Sequence, residues 1–160
     1  MTLEFLRVSA TTSKRDGNCD RMPYIRGVSM KRVEDLVPKN KFDFSGMDEL
    51  RLLSDEEIMP ILPALLEWMK DMNWPIAKEM PALLSKHQRV IIPFIIEALR
   101  PEQSECDWKT YIIQFLLPLL DEDYLRMLKI SLERIAESPT WGEESEGTNI
   151  EARELLESRF

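Results

Sequence analysis

The sequence is poor in the residues that build metal and redox sites. It has one histidine, His87, and two cysteines, Cys19 and Cys106, which lie far apart in the chain. Zinc sites place Cys and His ligands at short regular spacings, and this sequence has no such spacing. Two distant cysteines also give no disulfide framework. We therefore expect no metal, no other cofactor, and free thiols in a cytoplasmic protein.

Glycine is also scarce, with five residues in a chain of 160. β-rich folds use glycine at many tight turns, so the scarcity disfavours them. The sequence has no glycine-rich phosphate loop and no nucleophile elbow. No apolar run approaches the ~20 residues that span a bilayer, and Glu4 and Arg7 stand where a signal peptide would be apolar. We therefore expect neither an enzyme nor a membrane protein.

The charge of the chain is unevenly distributed. The net charge is −8, and residues 1–29 carry five basic and three acidic side chains, so residues 30–160 carry −10. A domain of that charge is repelled by phosphate backbones and anionic membranes. We therefore expect no nucleic acid and no membrane as a partner. Another protein, with a basic surface, is the better electrostatic match.

Residues 1–29 differ from the rest in lacking any periodic apolar face. Either they are a poorly ordered extension, or translation starts at Met30, which is the interpretation we favour. Residues 30–160 are predicted to form a single helical domain. Deleting residues 1–29 should then leave the melting temperature within a few degrees, because the segment has too little apolar surface to offset its ordering entropy.

Apolar residues recur at helical spacing through most of residues 54–160. A capping box at Ser54–Glu57 starts the first clear helix, and similar signals at Ser104–Asp107 and Thr148–Glu151 predict two more helix starts. Stripes over 58–72, 76–84, 88–99, 108–120 and 124–135 predict buried helix faces. His87, in a polar turn between two of them, is expected to have a surface or capping role.

The predicted helices are joined by short loops, so consecutive helices should pack as antiparallel neighbours. The fragment at 62–66, Leu-Pro-Ala-Leu-Leu, recurs at 80–84 as Met-Pro-Ala-Leu-Leu. This self-similarity favours an all-α fold in which antiparallel helix pairs form a short HEAT-like α-solenoid. A closed helical bundle is the alternative.

One segment carries a family resemblance. The run 71–75, Asp-Met-Asn-Trp-Pro, with the motifs at 35–43, 53–57, 107–109 and 133–143, resembles a bacterial family known as domain of unknown function 5071. The resemblance covers residues 30–160. It implies a small helical bacterial protein, and the family offers no activity, ligand or site residue to transfer.

Of the four tryptophans, Trp141 has the weakest structural explanation, because it falls in a predicted loop among acidic side chains. An exposed tryptophan beside Glu143 and Glu144 would suit a basic partner. Trp68 and Asp71 are further candidates for partner binding. A solvated acidic surface and ordinary packing are the competing structural interpretations.

The junction between two helices near residue 73 has a structural interpretation. Asn73 is the natural N-cap, and Pro75 fits a first turn. Trp74 should then pack over neighbouring helices, and Trp108 should plug a similar junction. If Trp74 serves function instead, it should be mostly exposed.

These observations favour a protein-interaction module that binds a basic protein through an acidic helical surface. A narrower form of the same hypothesis is an immunity-type inhibitor of a cationic toxin, for which acidic charge would speed the encounter. A helical-repeat nucleic-acid enzyme is the alternative from a different class, and it requires a contiguous basic groove.

Overall fold

Residues 32–160 are the part of the chain that the computed structural model describes. The predicted extension, residues 1–29, and the predicted start at Met30 lie outside them. Every regular element in this part is helical, with no strand, so the all-α prediction is confirmed. The α-helices are α1 (Met47–Leu50), α2 (Asp55–Ile58), α3 (Leu62–Glu67), α4 (Met80–Leu84), α5 (Gln88–Ala98), α6 (Cys106–Tyr111), α7 (Glu122–Met127), α8 (Lys129–Glu137), α9 (Trp141–Ser145) and α10 (Thr148–Arg159).

Proline divides the predicted long helices into short ones. Pro63 and Pro81 both stand in the first turn of a helix, α3 and α4, and each helix follows a 3-10 turn. Proline lacks the N–H that a helix interior needs but costs nothing in a first turn. The remaining turns are the 3-10 segments Val33–Leu36, Met59–Ile61, Trp68–Lys70, Ile76–Glu79, Ser85–His87 and Leu117–Leu119 and the π segment Ile112–Leu116.

The buried faces of the helices between residues 58 and 135 follow the predicted stripes, with Ile130 as an exception. Helix α3 packs against α4 and α5, α5 packs against α7, and α10 lies along α8 and α6. The core is built mainly from Leu, Ile and Met side chains, including the fully buried Leu65, Met80 and Ile95, and α6 contributes Trp108. Ile130 was expected in the stripe of α8 but is 80% exposed. Among residues 32–160 there is no helix with both the length and the apolarity to cross a membrane.

Helices begin at all three of the predicted starts, but two of them lack the predicted side-chain cap. The box at Ser54 is present, with hydrogen bonds in both directions between Ser54 and Glu57. Helix α6 has no side-chain cap. Helix α10 begins after Gly147, whose φ of 71° is in the left-handed region that glycine tolerates. The Thr148 hydroxyl is buried instead, 2.7 Å from the hydroxyl of Thr110.

Candidate functional site

Trp141 is the most exposed tryptophan of the described chain. Its side chain is 84% exposed, and it occupies the first position of α9, in a stretch predicted to be a loop. The helix forms because Thr140 and Glu143 make a capping box: the Thr140 hydroxyl accepts from Glu143 N, and the Glu143 carboxylate accepts from Thr140 N at 2.8 Å. The exposed ring therefore stands on a capped helix rather than on an irregular loop.

Glu143 is fully buried and holds an ion cluster under α9. Its Oε1 accepts hydrogen bonds from Lys109 Nζ at 2.6 Å and from Arg134 at 2.8 Å, and its Oε2 accepts a second bond from Arg134 at 2.5 Å. Lys109 is itself fully buried. The expectation that Glu143 lies on an exposed partner-binding surface is therefore wrong, because its carboxylate is buried and bound by Lys109 and Arg134.

The same two cations also bind the end of α5. Lys109 Nζ donates to Arg100 O at 2.7 Å, and Arg134 donates to Leu99 O at 2.7 Å. The last carbonyls of a helix lack partners within the helix and carry partial negative charge, so cations are favourable there. The cluster thus fastens α6, α8 and α9 to the C-terminal end of α5.

Glu143 stays ionised in this setting. Burial raises the pKa of its carboxyl, but hydrogen bonds from Arg134, Lys109 and the backbone of Thr140 outweigh burial and lower the pKa to about 2. An ionised carboxylate with every lone pair used is a rigid support. Since Trp141 stands two residues before Glu143 on the same short helix, the cluster fixes the place of the tryptophan.

A groove of about 370 Å³ lies beside Trp141. The buried side chains of Cys106 and Trp108, with Gly142, form its inner part, and Asp107 and Glu146 are among the carboxylates that line it. A Cβ on Gly142 would lie 2.8 Å from Cys106 Sγ, so α9 approaches α6 as closely as glycine permits. Burial raises the pKa of the Cys106 thiol, which therefore stays protonated.

Two carboxyls that line this groove, those of Asp107 and Glu146, interact with each other. The pKa of Glu146 is raised, first because its protonated carboxyl can donate a hydrogen bond to Asp107, and then because the negative charge of Asp107 disfavours a second charge nearby. Between residues 32 and 160 no Lys or Arg forms an ion pair with either carboxyl. A cation placed between them would therefore relieve a repulsion that the free domain retains.

The other acidic candidate in this helix, Glu144, is exposed. Glu144 and Glu143 are adjacent in sequence, but a helix turns neighbouring residues to different sides. Asp107 and Glu146, which the structure brings to the groove beside Trp141, are not among the residues that the sequence predicts for partner binding. Their sequence separation of 39 positions gave no signal, since only packing of α6 on α9 joins them.

Trp68 and Asp71 lie at a different place, in the junction after α3. The Trp68 and Trp74 rings meet edge to face with centroids 5.4 Å apart, and both are half-buried. Asp71 Oδ1 accepts from Asn73 N at 2.9 Å and from Asn73 Nδ2 at 3.0 Å. The prediction that Asn73 is an N-cap is wrong: Asp71 accepts the hydrogen bonds, and the side chain of Asn73 donates. Pro75 is the residue before the turn Ile76–Glu79.

Trp108 is buried and joins two helices. Its indole N–H donates to Leu66 O, near the end of α3, at 3.1 Å. Lys70 Nζ covers the ring, 4.9 Å from its centroid. The indole thus supplies core packing and a helix-end hydrogen bond, and its neighbours form part of the groove.

His87 is buried, contrary to the expected surface or capping role. Its Nδ1 and Asp55 Oδ1 are 2.8 Å apart, and this hydrogen bond lowers the pKa of Asp55. The bond ties the turn Ser85–His87 to the start of α2. His87 Nε2 is buried without a partner among the described residues. No group of three His, Cys, Asp or Glu side chains suited to a metal ion occurs in residues 32–160.

The comparisons with known proteins identify a family and no activity. A family model described as "Domain of unknown function (DUF5071)" matches residues 36–156. No curated protein shows a significant match to the chain. The family description names no substrate, ligand or partner, so any function has to be argued from the site.

Proposed function

The chain belongs to the DUF5071 family, and on that premise we propose that its helical domain is a protein-interaction module that binds a basic protein at Trp141 and the groove beside it. The observation that carries this proposal is the 84% exposed Trp141 ring on a helix anchored by the buried Glu143. Tryptophan dominates many binding hot spots. Because the helix that carries the ring is already formed, binding does not have to order its backbone.

The chemistry around the ring favours a cationic group. The face of a tryptophan attracts Arg and Lys by cation–π interaction. Asp107 and Glu146 lie near each other and offer charge of the opposite sign. The −10 carried by residues 30–160 would speed the encounter with a basic protein and select against acidic ones.

The alternative of a nucleic-acid enzyme requires a groove lined by Arg and Lys. The groove at Trp141 has one lysine, Lys70, which is paired with Glu105 at 2.8 Å. This balance supports a basic protein as the partner rather than nucleic acid. An inhibitor of a cationic toxin would be one case of the proposed module. The proposal assigns no catalytic role and no cofactor.

We also propose a cytoplasmic location and a short HEAT-like arrangement. The free, buried thiol of Cys106 fits a reducing compartment. Helices α3 and α4 pack against each other, and each has a proline of the repeated fragment in its first turn, which supports the helix-pair arrangement.

The test measures binding of a fluorescent Gly/Ser peptide that carries one arginine to the full-length chain. The double variant Asp107→Asn/Glu146→Gln should bind about fivefold to tenfold more weakly, as the loss of two modest ion contacts implies. The control Glu154→Gln/Glu157→Gln removes the same charge from exposed positions of α10 and should change the affinity less than about twofold. Equal losses in both variants, or no measurable binding at low salt, would refute the proposed site.

A further inference from the structure

A second groove adjoins the first at Trp108. It has a volume of about 320 Å³ and an apolar wall that includes Pro63, Leu66 and Phe94. Trp108 lines both grooves. The two grooves therefore meet at this one indole, between the end of α3 and the start of α6.

Lys70 stands where the grooves meet. Its ammonium lies 4.9 Å from the Trp108 ring centroid, 2.8 Å from Glu105 and 3.5 Å from Glu67. Glu105 lines the groove at Trp141, and Glu67 lines the second groove. The hydrogen bond from Lys70 to Glu105 raises the pKa of the lysine, which is therefore charged at neutral pH. An aromatic face between two carboxylates is a cradle for a cation, and here the chain's own lysine occupies it.

The paired grooves have an excess of negative charge. Their two cations are Lys70 and Arg100, and Arg100 is paired with Glu97 at 3.0 Å. The carboxylates that line the two grooves are Glu67, Glu97, Glu102, Glu105, Asp107 and Glu146. An occupant with several positive charges and some apolar surface complements this composition better than a neutral or acidic one.

We propose that the two grooves form one binding surface for an extended basic segment of the partner protein, with one cationic side chain at Trp141 and a second over Trp108 in place of Lys70. In an extended segment, residues two apart point to the same side, so such a segment presents two cations to one surface. The inference rests on the proposed function and adds the second cation position and the displacement of Lys70.

The experiment compares two fluorescent Gly/Ser peptides, one with a single arginine and one with two arginines separated by one residue. The full-length chain should bind the second peptide about tenfold more tightly. Lys70→Gln opens the cradle and should strengthen binding of the two-arginine peptide about threefold or more, with the one-arginine peptide changed less than about twofold. Arg100→Gln is the matched control, because it also removes a paired cation from the grooves, and it should leave both affinities within about twofold.

Three results would overturn the inference. If the two-arginine peptide binds no more than about twice as tightly as the one-arginine peptide, which is the statistical factor, the surface has a single cation position. Equal effects of Lys70→Gln and Arg100→Gln show that only net charge matters. Sedimentation of the free chain as a dimer that Trp141→Ala dissociates would show that a second copy occupies the surface. The first two results leave the proposed function intact, whereas its own failure appears as an insensitivity of the one-arginine peptide to Asp107 and Glu146.

Discussion

At the scale of single residues, Asp71 holds the turn between the paired rings of Trp68 and Trp74. One carboxylate oxygen accepts two hydrogen bonds from Asn73, and Asp71 O accepts a third from Trp74 N at 3.1 Å. The Asn73 side chain is exposed and donates only to Asp71. The backbone of the turn therefore depends on the aspartate and hardly on the asparagine.

This arrangement predicts unequal effects of two alanine substitutions. Asp71→Ala should lower the free energy of unfolding by about 1 kcal/mol, because it removes the acceptor for the backbone N–H of Asn73. Asn73→Ala keeps that backbone bond and should cost less than ~0.5 kcal/mol. Urea denaturation of the two variants checks the order, and a larger loss for Asn73→Ala would restore asparagine as the cap.

Trp74 shows how much of a single site the sequence determines. The sequence indicates that an aromatic side chain covers this junction, but it does not indicate which ring Trp74 meets. The structure pairs it with Trp68 and leaves it half-buried outside the apolar core. A truncation here should therefore cost less than the ~3–5 kcal/mol that fully buried tryptophans lose.

At the scale of helices, apolar periodicity predicted which faces are buried but not where the helices break. The faces follow from local spacing, which the sequence displays directly. The breaks depend on whether the chain bends at each proline. Pro93 is tolerated inside α5, whereas Pro63 and Pro81 coincide with new helix starts.

Helix α9 was missed, although a signal for it exists. Thr140 and Glu143 have the spacing of a capping box, although this stretch is predicted from the sequence to be a loop. The burial of Lys109 had no local signal, since its partner Glu143 lies 34 positions away. Such a contact follows only from the packing of α6, α8 and α9.

Because α9 approaches α6 closely, the effect of Gly142→Ala on stability should change sign when Cys106 is also replaced. Gly142→Ala places a Cβ 2.8 Å from Cys106 Sγ, so it should destabilise the fold by ~1–3 kcal/mol through overpacking. In a Cys106→Ala background that clash is absent. There Gly142→Ala should stabilise α9 by ~0.5–1 kcal/mol, as alanine does in place of helical glycine.

A double-mutant cycle monitored by urea denaturation measures this coupling. The Cys106→Ala single variant is its reference, because it loses some packing on its own. Additive effects of the two substitutions would contradict the contact between α6 and α9.

At the scale of the whole molecule, the ion cluster makes the free energy of unfolding depend on pH in the acid range. The pKa of Glu143 falls from 4.5 to about 2 on folding, so the unfolded chain takes up a proton first as the pH drops. Ionised Glu143 therefore adds pH-dependent stability above its ordinary pKa of 4.5, and about 3 kcal/mol of that stability is lost as the pH falls toward 2. Denaturation curves recorded across this range should show the loss.

Two variants isolate this contribution from that of other carboxyls. Glu143→Gln should lower stability at neutral pH by ~3–5 kcal/mol, because it leaves Lys109 buried without a counter-charge, and it should flatten the acid dependence. Glu144→Gln, an exposed change in the same helix, should leave both nearly unchanged. An acid dependence of Glu143→Gln equal to that of the unaltered protein would show that other groups are responsible.

Within the short helix α9, one side chain thus holds the helix to the fold and another is available for binding. Glu143 faces inward and fixes α9, and Trp141 faces outward beside an acidic groove. If this division is right, removing the outward ring should affect only binding, since an 84% exposed side chain contributes little to the core.

The most direct measurement records stability and peptide affinity on the same sample of Trp141→Ala, with Ile130→Ala as control. Ile130 is 80% exposed and lies on α8, so it matches Trp141 in exposure but not in position. Trp141→Ala should keep the melting temperature of the unaltered protein and bind the one-arginine peptide about tenfold more weakly, a loss of ~1.4 kcal/mol. Ile130→Ala should change neither quantity. A fall in melting temperature with unchanged affinity would instead make Trp141 a part of the scaffold and contradict the account.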